Sequence, residues 1–407
     1  MTKLKVAVVL IDDFDPKTGG GFSYYERLIS KIDAYEFDER FDICYISNNH
    51  ISSESLSKKH IIVPKNDYLN QSTTFIYRIL ISIFSFSFLK YLKIDIKITN
   101  IINRKVNLNV LAFYKSNKID LLYYPTPNFY PDNYPFIATH WDLAHKTMFP
   151  FPEIIQSNKF EKREYYHRKT LSKAFAIFTE SEQSKKELVT IEKIYEDKIF
   201  VVPLFPGKVV EINVNESIQS EILKKWDVTK NEFYFYPAQF WAHKNHYGLI
   251  KAFQIVIETY PNFKLILTGS DKGNLDYIKQ VVREFNLEDK IIFTGFVSDE
   301  AVYTFYKNAI ALVMPTFLGP TNMPLLEAHQ LGCAVICSDL EGHKQQMKNK
   351  AIYFNPRDEK DIALKMIEVL SLERQDFTFE SYDNTASILN DCIKAIYNVR
   401  KTFGYEF

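Results

Sequence analysis

The chain has 407 residues but only four cysteines, Cys44, Cys333, Cys337 and Cys392, and these form no CxxC pair or other metal-ligand spacing. A disulfide scaffold and a cysteine-built metal site are thereby excluded, and a reduced, intracellular protein is expected. Net charge is lacking too, since 50 Lys+Arg balance 50 Asp+Glu, and no global field favours nucleic acid. The N-terminus, "MTKLKVAVVLIDDFDP", enters a strand pattern directly and has no signal-peptide character. There is no G-x-G-x-x-G, P-loop, zinc helix, Gly-x-Ser-x-Gly elbow or Ser-His-Asp order, so the usual dinucleotide, nucleoside-triphosphatase and hydrolase signatures are absent. Fixed-period repeats and low-complexity tracts are absent as well.

What is present is a long alternation of apolar strand runs and helical patterns. In the first half the strands are "LKVAVVLID", "FDICYIS", "IDLLYYPTP", "YPFIATHWD", "AFAIFTESE" and "KIFVVPLF". In the second they are "EFYFYPAQF", "FKLILTGS", "KIIFTGFVS", "AIALVMPT", "CAVICSD" and "AIYFNP", with Cys333 and Cys337 as small core groups. The helix predicted over 245–259 spaces Leu249, Phe253, Val256 and Ile257 on one buried face. Such alternation predicts an α/β protein of parallel sheets covered on both faces. Its length suits two doubly wound domains facing a cleft. The polar break near 206–230 divides the chain into 1–205, 206–380 and a final helix over 381–407 that packs back toward the first domain.

One apolar run complicates this picture. "ILISIFSFSFL" (79–89) is too short to span a bilayer, and Lys90, Lys93, Lys97, Arg104 and Lys105 follow it. It reads either as a core-packed helix or as a helix lying on an anionic membrane surface, a peripheral contact through 79–105.

The loops expected at the C-terminal edges of the strands hold the chemistry. "DPKTGGGFSYYERL" (15–28) places Gly19, Gly20 and Gly21 between a strand and a helix, where backbone amides approach an anion or sugar closely, or simply make a flexible turn. "YPAQFWAHKNH" (236–246) sets Gln239 at a strand end and Lys244 at a helix start. A cation there opposes the helix dipole unless an anionic ligand is shared between them. "GPTNMPLLEA" (319–328) is a polar loop with Pro324 in the first helical turn and Glu327 one turn on. "TGS" (268–270) and "TGFVSDE" (294–300) complete four loops on one edge. In the first half, "FIATHWDLAH" (136–145) offers His140, Asp142 and His145 for hydrogen bonding or proton transfer. No third ligand at a convincing spacing supports a metal.

Together the first-strand glycines, "AQFWAHKNH", "TGFVSDEAVYTFYKNA" and "PLLEAHQLGCAVICSD" resemble the retaining glycosyltransferases of the GT-B fold, in the large fourth family of that classification. The resemblance covers nearly the whole chain, is strongest over 232–372, and extends to a subgroup met in bacterial surface-polysaccharide loci. It implies two Rossmann-like domains, and donor binding by Gly20, Gly21, Gln239, Lys244, Ser270, Phe296, Val297, Thr321, Asn322, Met323 and Glu327. Lys244 and the amides at 321–323 would neutralise the donor diphosphate, Glu327 would read the ribose, and Phe296 and Val297 would line the base. Gln239 stands where the family usually has arginine. Gly319 stands where it has a first glutamate, with Thr321 and Asn322 as the substitutes. The family's catalytic-pocket histidine comes from the "HWDLAH" region. Trp141 takes its usual position, leaving His145 first and His140 second, with Asp142 to orient one of them.

The activity so implied is metal-independent transfer of a hexose, mannose first, from a GDP- or UDP-linked donor to a glycan or lipid-linked acceptor. It needs no resident cofactor, and a cytoplasmic or peripheral location on the inner membrane face fits it. The missing glutamate and arginine leave two other readings, an inert sugar-nucleotide or glycan-binding subunit and a GT-B-fold sugar-nucleotide epimerase.

Overall fold

The computed structural model of the protein describes residues 3–11, 20–48, 56–63, 110–127, 134–148, 151–371 and 384–402. The segment 79–105 and Gly19 lie outside the described residues. The first sheet has seven strands, β1 Leu4–Val9, β2 Phe41–Ser47, β3 His60–Ile62, β4 Leu121–Tyr123, β5 Phe136–His140, β6 Ala176–Thr179 and β7 Ile199–Val201. Their order is β3-β2-β1-β4-β5-β6-β7, all parallel. The second sheet has six, β8 Phe233–Pro237, β9 Lys264–Thr268, β10 Ile291–Gly295, β11 Ala311–Met314, β12 Ala334–Ser338 and β13 Ile352–Phe354. These run β10-β9-β8-β11-β12-β13, again all parallel. The fold is therefore α/β, two Rossmann-like sheets, with every strand run expected from sequence in place and β3 added at an edge.

Both sheets are buried on both faces, which is why their strands read as continuous apolar runs. Phe233, Tyr234, Phe235 and Tyr236 of β8 are all inaccessible to solvent. Helix His246–Thr259 buries Leu249, Phe253 and Val256 as its pattern predicts, while Ile257 stays at the margin of the core. Asn245 starts this helix from a left-handed conformation (φ +56°), its side chain accepting the Gly248 N–H. All four cysteines are buried thiols; Cys337 sits on β12 and Cys333 just before it.

The helix Thr385–Thr402 returns to the first sheet, where Leu389, Cys392 and Ile393 join the core around Leu4, Leu28 and Ile43. Among the described residues no helix is long and apolar enough to cross a membrane.

Each sheet changes direction of winding once, at β1/β4 and at β8/β11. Loops leaving those strands diverge and open a crevice at the sheet's C-terminal edge. The two crevices face each other, and contacts bridge them. Glu153 accepts from the His243 backbone N–H at 2.9 Å and lies 2.6 Å from its Nδ1. Phe151 stacks on Phe317 with ring centres 5.8 Å apart. Arg27 donates to the carbonyls of Pro206 and Gly207 and pairs with Glu211 at 2.5 Å.

Candidate active site

Between the facing edges lies a cavity of about 840 Å³. Gly20, Gly21, Asp142, Gln239, Lys244, Ser270, Phe296, Val297, Thr321, Asn322, Met323 and Glu327 all line it. His140 and His145 do not.

The second-domain wall starts with the loop after β8. Lys244 ends a short turn, Ala242–Lys244, just ahead of the Asn245 cap. Its ammonium donates to Asn322 Oδ1 at 3.1 Å, and no carboxylate pairs with it among the described residues. Burial holds its pKa down to about 8, Asp142 opposing the shift. A half-buried ammonium facing a cavity with only a neutral amide as partner is poised to receive an anion. The Gln239 amide is engaged, accepting from Trp241 Nε1 at 3.0 Å and donating to Ser270 Oγ at 3.3 Å.

The loop after β11 was expected to offer Thr321 and Asn322 to a sugar, and the structure divides them. Asn322 is clamped on all sides. Its Oδ1 takes the Lys244 ammonium, its Nδ2 lies 2.9 Å from His343 Nε2, and its backbone exchanges hydrogen bonds with the Gln346 side chain. His343 Nδ1 is 2.9 Å from the Ser338 carbonyl, so that nitrogen must carry the proton and Nε2 must accept from Asn322. His343 is fully buried, and burial lowers its pKa to about 4, so the imidazole is neutral. A relay thus runs from Ser338 through His343 and Asn322 to Lys244. His343 and Gln346 are functional candidates that sequence reasoning missed; both lie on the helix Glu341–Met347, whose only signal was proximity to "CAVICSD".

Gly319 has a physical reason to be glycine. Its φ is +120°, and a Cβ there would sit 2.7 Å from Asn322 Nδ2. No side chain, and so no glutamate, fits without moving the clamp. Gly342 presses on the same loop, where an added Cβ would collide with the Pro320 carbonyl.

Glu327 accepts the Gly207 N–H at 3.1 Å on Oε1 and the Tyr306 hydroxyl at 2.9 Å on Oε2. Burial raises its pKa, and the two hydrogen bonds oppose this. The residue therefore ties the interdomain linker to the cavity floor while keeping acceptor capacity for a hydroxyl. Phe296 lies open at the cavity mouth, 64% exposed.

On the first-domain wall Gly20 and Gly21 begin the helix Gly20–Ala34, with Met323 across the cleft, 3.7 Å from where a Gly20 Cβ would be. The expectation for the histidines is corrected here. His140 ends β5 and His145 lies on the helix Ala144–Thr147; both are buried and both pack with His167 behind the wall. Burial takes His140 and His145 down to about 4. The reason is where β5 ends: both faces of the strand are buried through His140, and it is the loop residues just past its C-terminal end, Trp141 and Asp142, that reach the cavity. Asp142 orients neither histidine. Its Oδ1 accepts the Ala144 N–H and lies 2.5 Å from Arg163. Trp141 holds the position where a pocket histidine was expected, and it is the one at the cavity.

His145, Glu164 and Glu192 are close enough to hold a metal, the grouping found among the described residues. Lys146 already lies 2.9 Å and 2.7 Å from those two carboxylates, so the charge there is met by the chain's own ammonium. Glu180, which follows β6, also lines the cavity, and burial drives its carboxyl well above the usual range.

Residues 218–385 match the family model described as glycosyl transferases group 1. O-antigen chain mannosyltransferase B of Escherichia coli is 26% identical over 251 residues, covering 61% of this chain and 65% of its own. O-antigen chain mannosyltransferase RfbU of Salmonella typhimurium is 28% identical over 190 residues, 46% of this chain and 52% of its own. The chain thus spans between half and two thirds of these relatives. Among solved structures, a glycosyltransferase from Rickettsia africae superposes with a TM-score of 0.64 at 15% identity over 100% of both chains. Anabaena Alr3699/HepE, solved with UDP and glucose, gives 0.60 at 15% over 98% of this chain and 95% of its own. These likenesses establish the GT-B fold.

Proposed function

We propose that this protein transfers a hexose from a nucleotide-diphosphate sugar, since residues 218–385 match the group 1 glycosyl transferases and the two sheets form the GT-B fold. The acceptor is a hydroxyl of a glycan or lipid-linked oligosaccharide in cell-surface polysaccharide synthesis, with the anomeric configuration retained. Mannose is the leading sugar, in keeping with the relatives named as mannosyltransferases. One observation carries the reading. Lys244 is a half-buried ammonium at a strand's C-terminal edge, facing the interdomain cavity without a carboxylate partner among the described residues.

The chemical demand is to stabilise charge building on the departing diphosphate. Lys244 supplies the countercharge, and the amides of Thr321 and Met323 lie beside it at the mouth of the helix Met323–Gln330, the Asn322 N–H being taken by Gln346. Glu327 has acceptor capacity for a ribose hydroxyl, and Phe296 and Val297 flank the place for the base. On the face of the sugar that loses the diphosphate, the acceptor oxygen forms the new bond while the leaving phosphate takes its proton. Closure of the cleft, held by the Glu153–His243 and Phe151–Phe317 contacts, excludes the water that would hydrolyse the donor. No resident metal or cofactor enters this scheme.

The test is a metal-free thermal-shift panel with GDP, UDP, ADP and dTDP on wild type and Lys244→Ala. A ligand at a hundred times its Kd adds about 2.7 kcal/mol to stability. One nucleotide should shift the wild type and not the variant, and transfer by Lys244→Ala should fall by about two to three orders of magnitude with the fold intact. Full activity in that variant would sink the reading. Nucleotide binding without product formation would favour an inert sugar-nucleotide-binding subunit, the reading that Gly319 and Gln239 support.

A further inference from the structure

The cleft contains a carboxyl group that the scheme above does not use. Glu180 immediately follows β6, which pairs with β5 in the register His140↔Thr179. Asp142 and Glu180 therefore leave the first sheet side by side and line the same cavity. The Glu180 carboxyl faces the Thr321 hydroxyl across the interdomain cleft, and Asp142 and the Tyr24 phenol also lie within its electrostatic reach. No cation pairs with Glu180 among the described residues. The Thr321 hydroxyl oxygen is itself buried without a close hydrogen-bond partner.

Glu180 and Thr321 meet across the cavity with only each other in hydrogen-bonding reach among the described residues, and a carboxyl so placed keeps hydrogen-bonding capacity for a ligand. The ligand chemistry follows from the groups. A carboxyl and a short hydroxyl, neither of them ion-paired, suit a molecule rich in neutral hydroxyls. The place for such a molecule is beside Lys244, where a diphosphate would end. Gly319 can bear no side chain, and the Asn322 amide is committed to Lys244 and His343.

We propose that Glu180, from the first domain, binds a hydroxyl of the transferred hexose together with Thr321, in place of the carboxylate that Gly319 cannot carry. This rests on the glycosyltransferase reading and adds to it. Sugar recognition then spans the cleft, and the donor sugar, rather than the nucleotide, draws the two domains together.

The experiment is calorimetric titration of the wild type, Glu180→Ala and Glu180→Gln with GDP and GDP-mannose, and with UDP and UDP-glucose. For the pair that the wild type binds, the sugar nucleotide should bind more weakly to Glu180→Ala by about tenfold or more. The bare diphosphate should stay within about twofold, because Glu180 does not touch it. Glu180→Gln keeps the size of the side chain and guards against a folding defect; it should lose selectively for the sugar nucleotide as well. Equal losses for diphosphate and sugar nucleotide, or no loss for either, would overturn the assignment. A wild type that binds none of the four ligands would instead overturn the glycosyltransferase reading, and this inference with it.

Discussion

The second-domain wall of the cleft presents Gln239, Lys244, Thr321 and Asn322 from loops that directly follow β8 and β11. The first-domain wall presents Trp141, Asp142 and Glu180 and turns His140 and His145 inward. On the second wall the useful groups are backbone amides at a helix mouth and one lysine beside it, and chain order alone locates these. On the first wall everything depends on where the strand ends, since β5 is buried on both faces through His140 and only the residues beyond it reach the cavity. Chemistry marked by a helix start and a nearby charge survives a reading of the sequence better than chemistry that depends on the exact residue at which a buried strand ends.

The largest expected difference between the two walls concerns the relay behind the second. If His343 positions Lys244 through Asn322, His343→Leu should lower kcat/KM by about ten- to a hundredfold. The loss should fall mainly on nucleotide affinity and be partly restored in His343→Gln, whose amide can both donate and accept. Steady-state kinetics on both variants, with melting temperatures measured alongside, would check this. Wild-type kinetics in a folded His343→Leu would reduce His343 to core packing.

A smaller effect follows from the charge on Lys244. Its pKa stands near 8 because burial disfavours the ammonium. An anionic ligand favours the protonated form, so nucleoside diphosphate binds best below that value. As pH rises past about 8 the ligand must be joined by a proton, and affinity should fall by up to about tenfold per pH unit. In Lys244→Arg, which keeps its charge throughout, the fall should flatten. Binding isotherms from pH 6.5 to 9.5 would show it, and equal slopes in the two proteins would remove Lys244 from the anion site.

The fold was legible almost throughout, because parallel strands buried on both faces leave continuous apolar runs. The exception, β3, is a short edge strand, His60–Ile62, with no fully buried residue and so no such signal. Lys244, Glu327 and the loop around Gly319 were legible because their significance is local: a cation against a helix mouth, a carboxylate one turn in. The clamp on Asn322 was not, because it depends on His343 and Gln346 arriving from the next helix. Glu180 was hidden for the same reason, since its meaning comes from Thr321 in the other domain. The absence of a glutamate at Gly319 was visible in the sequence. Its cause, a backbone at φ +120° with Asn322 folded over it, was visible only in three dimensions.

The smallest effect is expected where the sequence pointed most directly to catalysis. His145 is fully buried, its Nε2 3.2 Å from Glu164 Oε1, and it packs against His167 and Phe160 rather than the cavity. His145→Gln keeps a donor for Glu164 at modest change in volume, so kcat should stay within about threefold of wild type, measured below the melting temperature. A residue that moved a proton or held the reacting sugar would instead cost about a hundredfold or more. Such a loss, with the melting temperature unchanged, would mean that the histidine cluster turns into the cleft when donor binds. The first wall would then be rebuilt by its substrate while the second wall, fixed by the His343–Asn322–Lys244 relay, stays as it is.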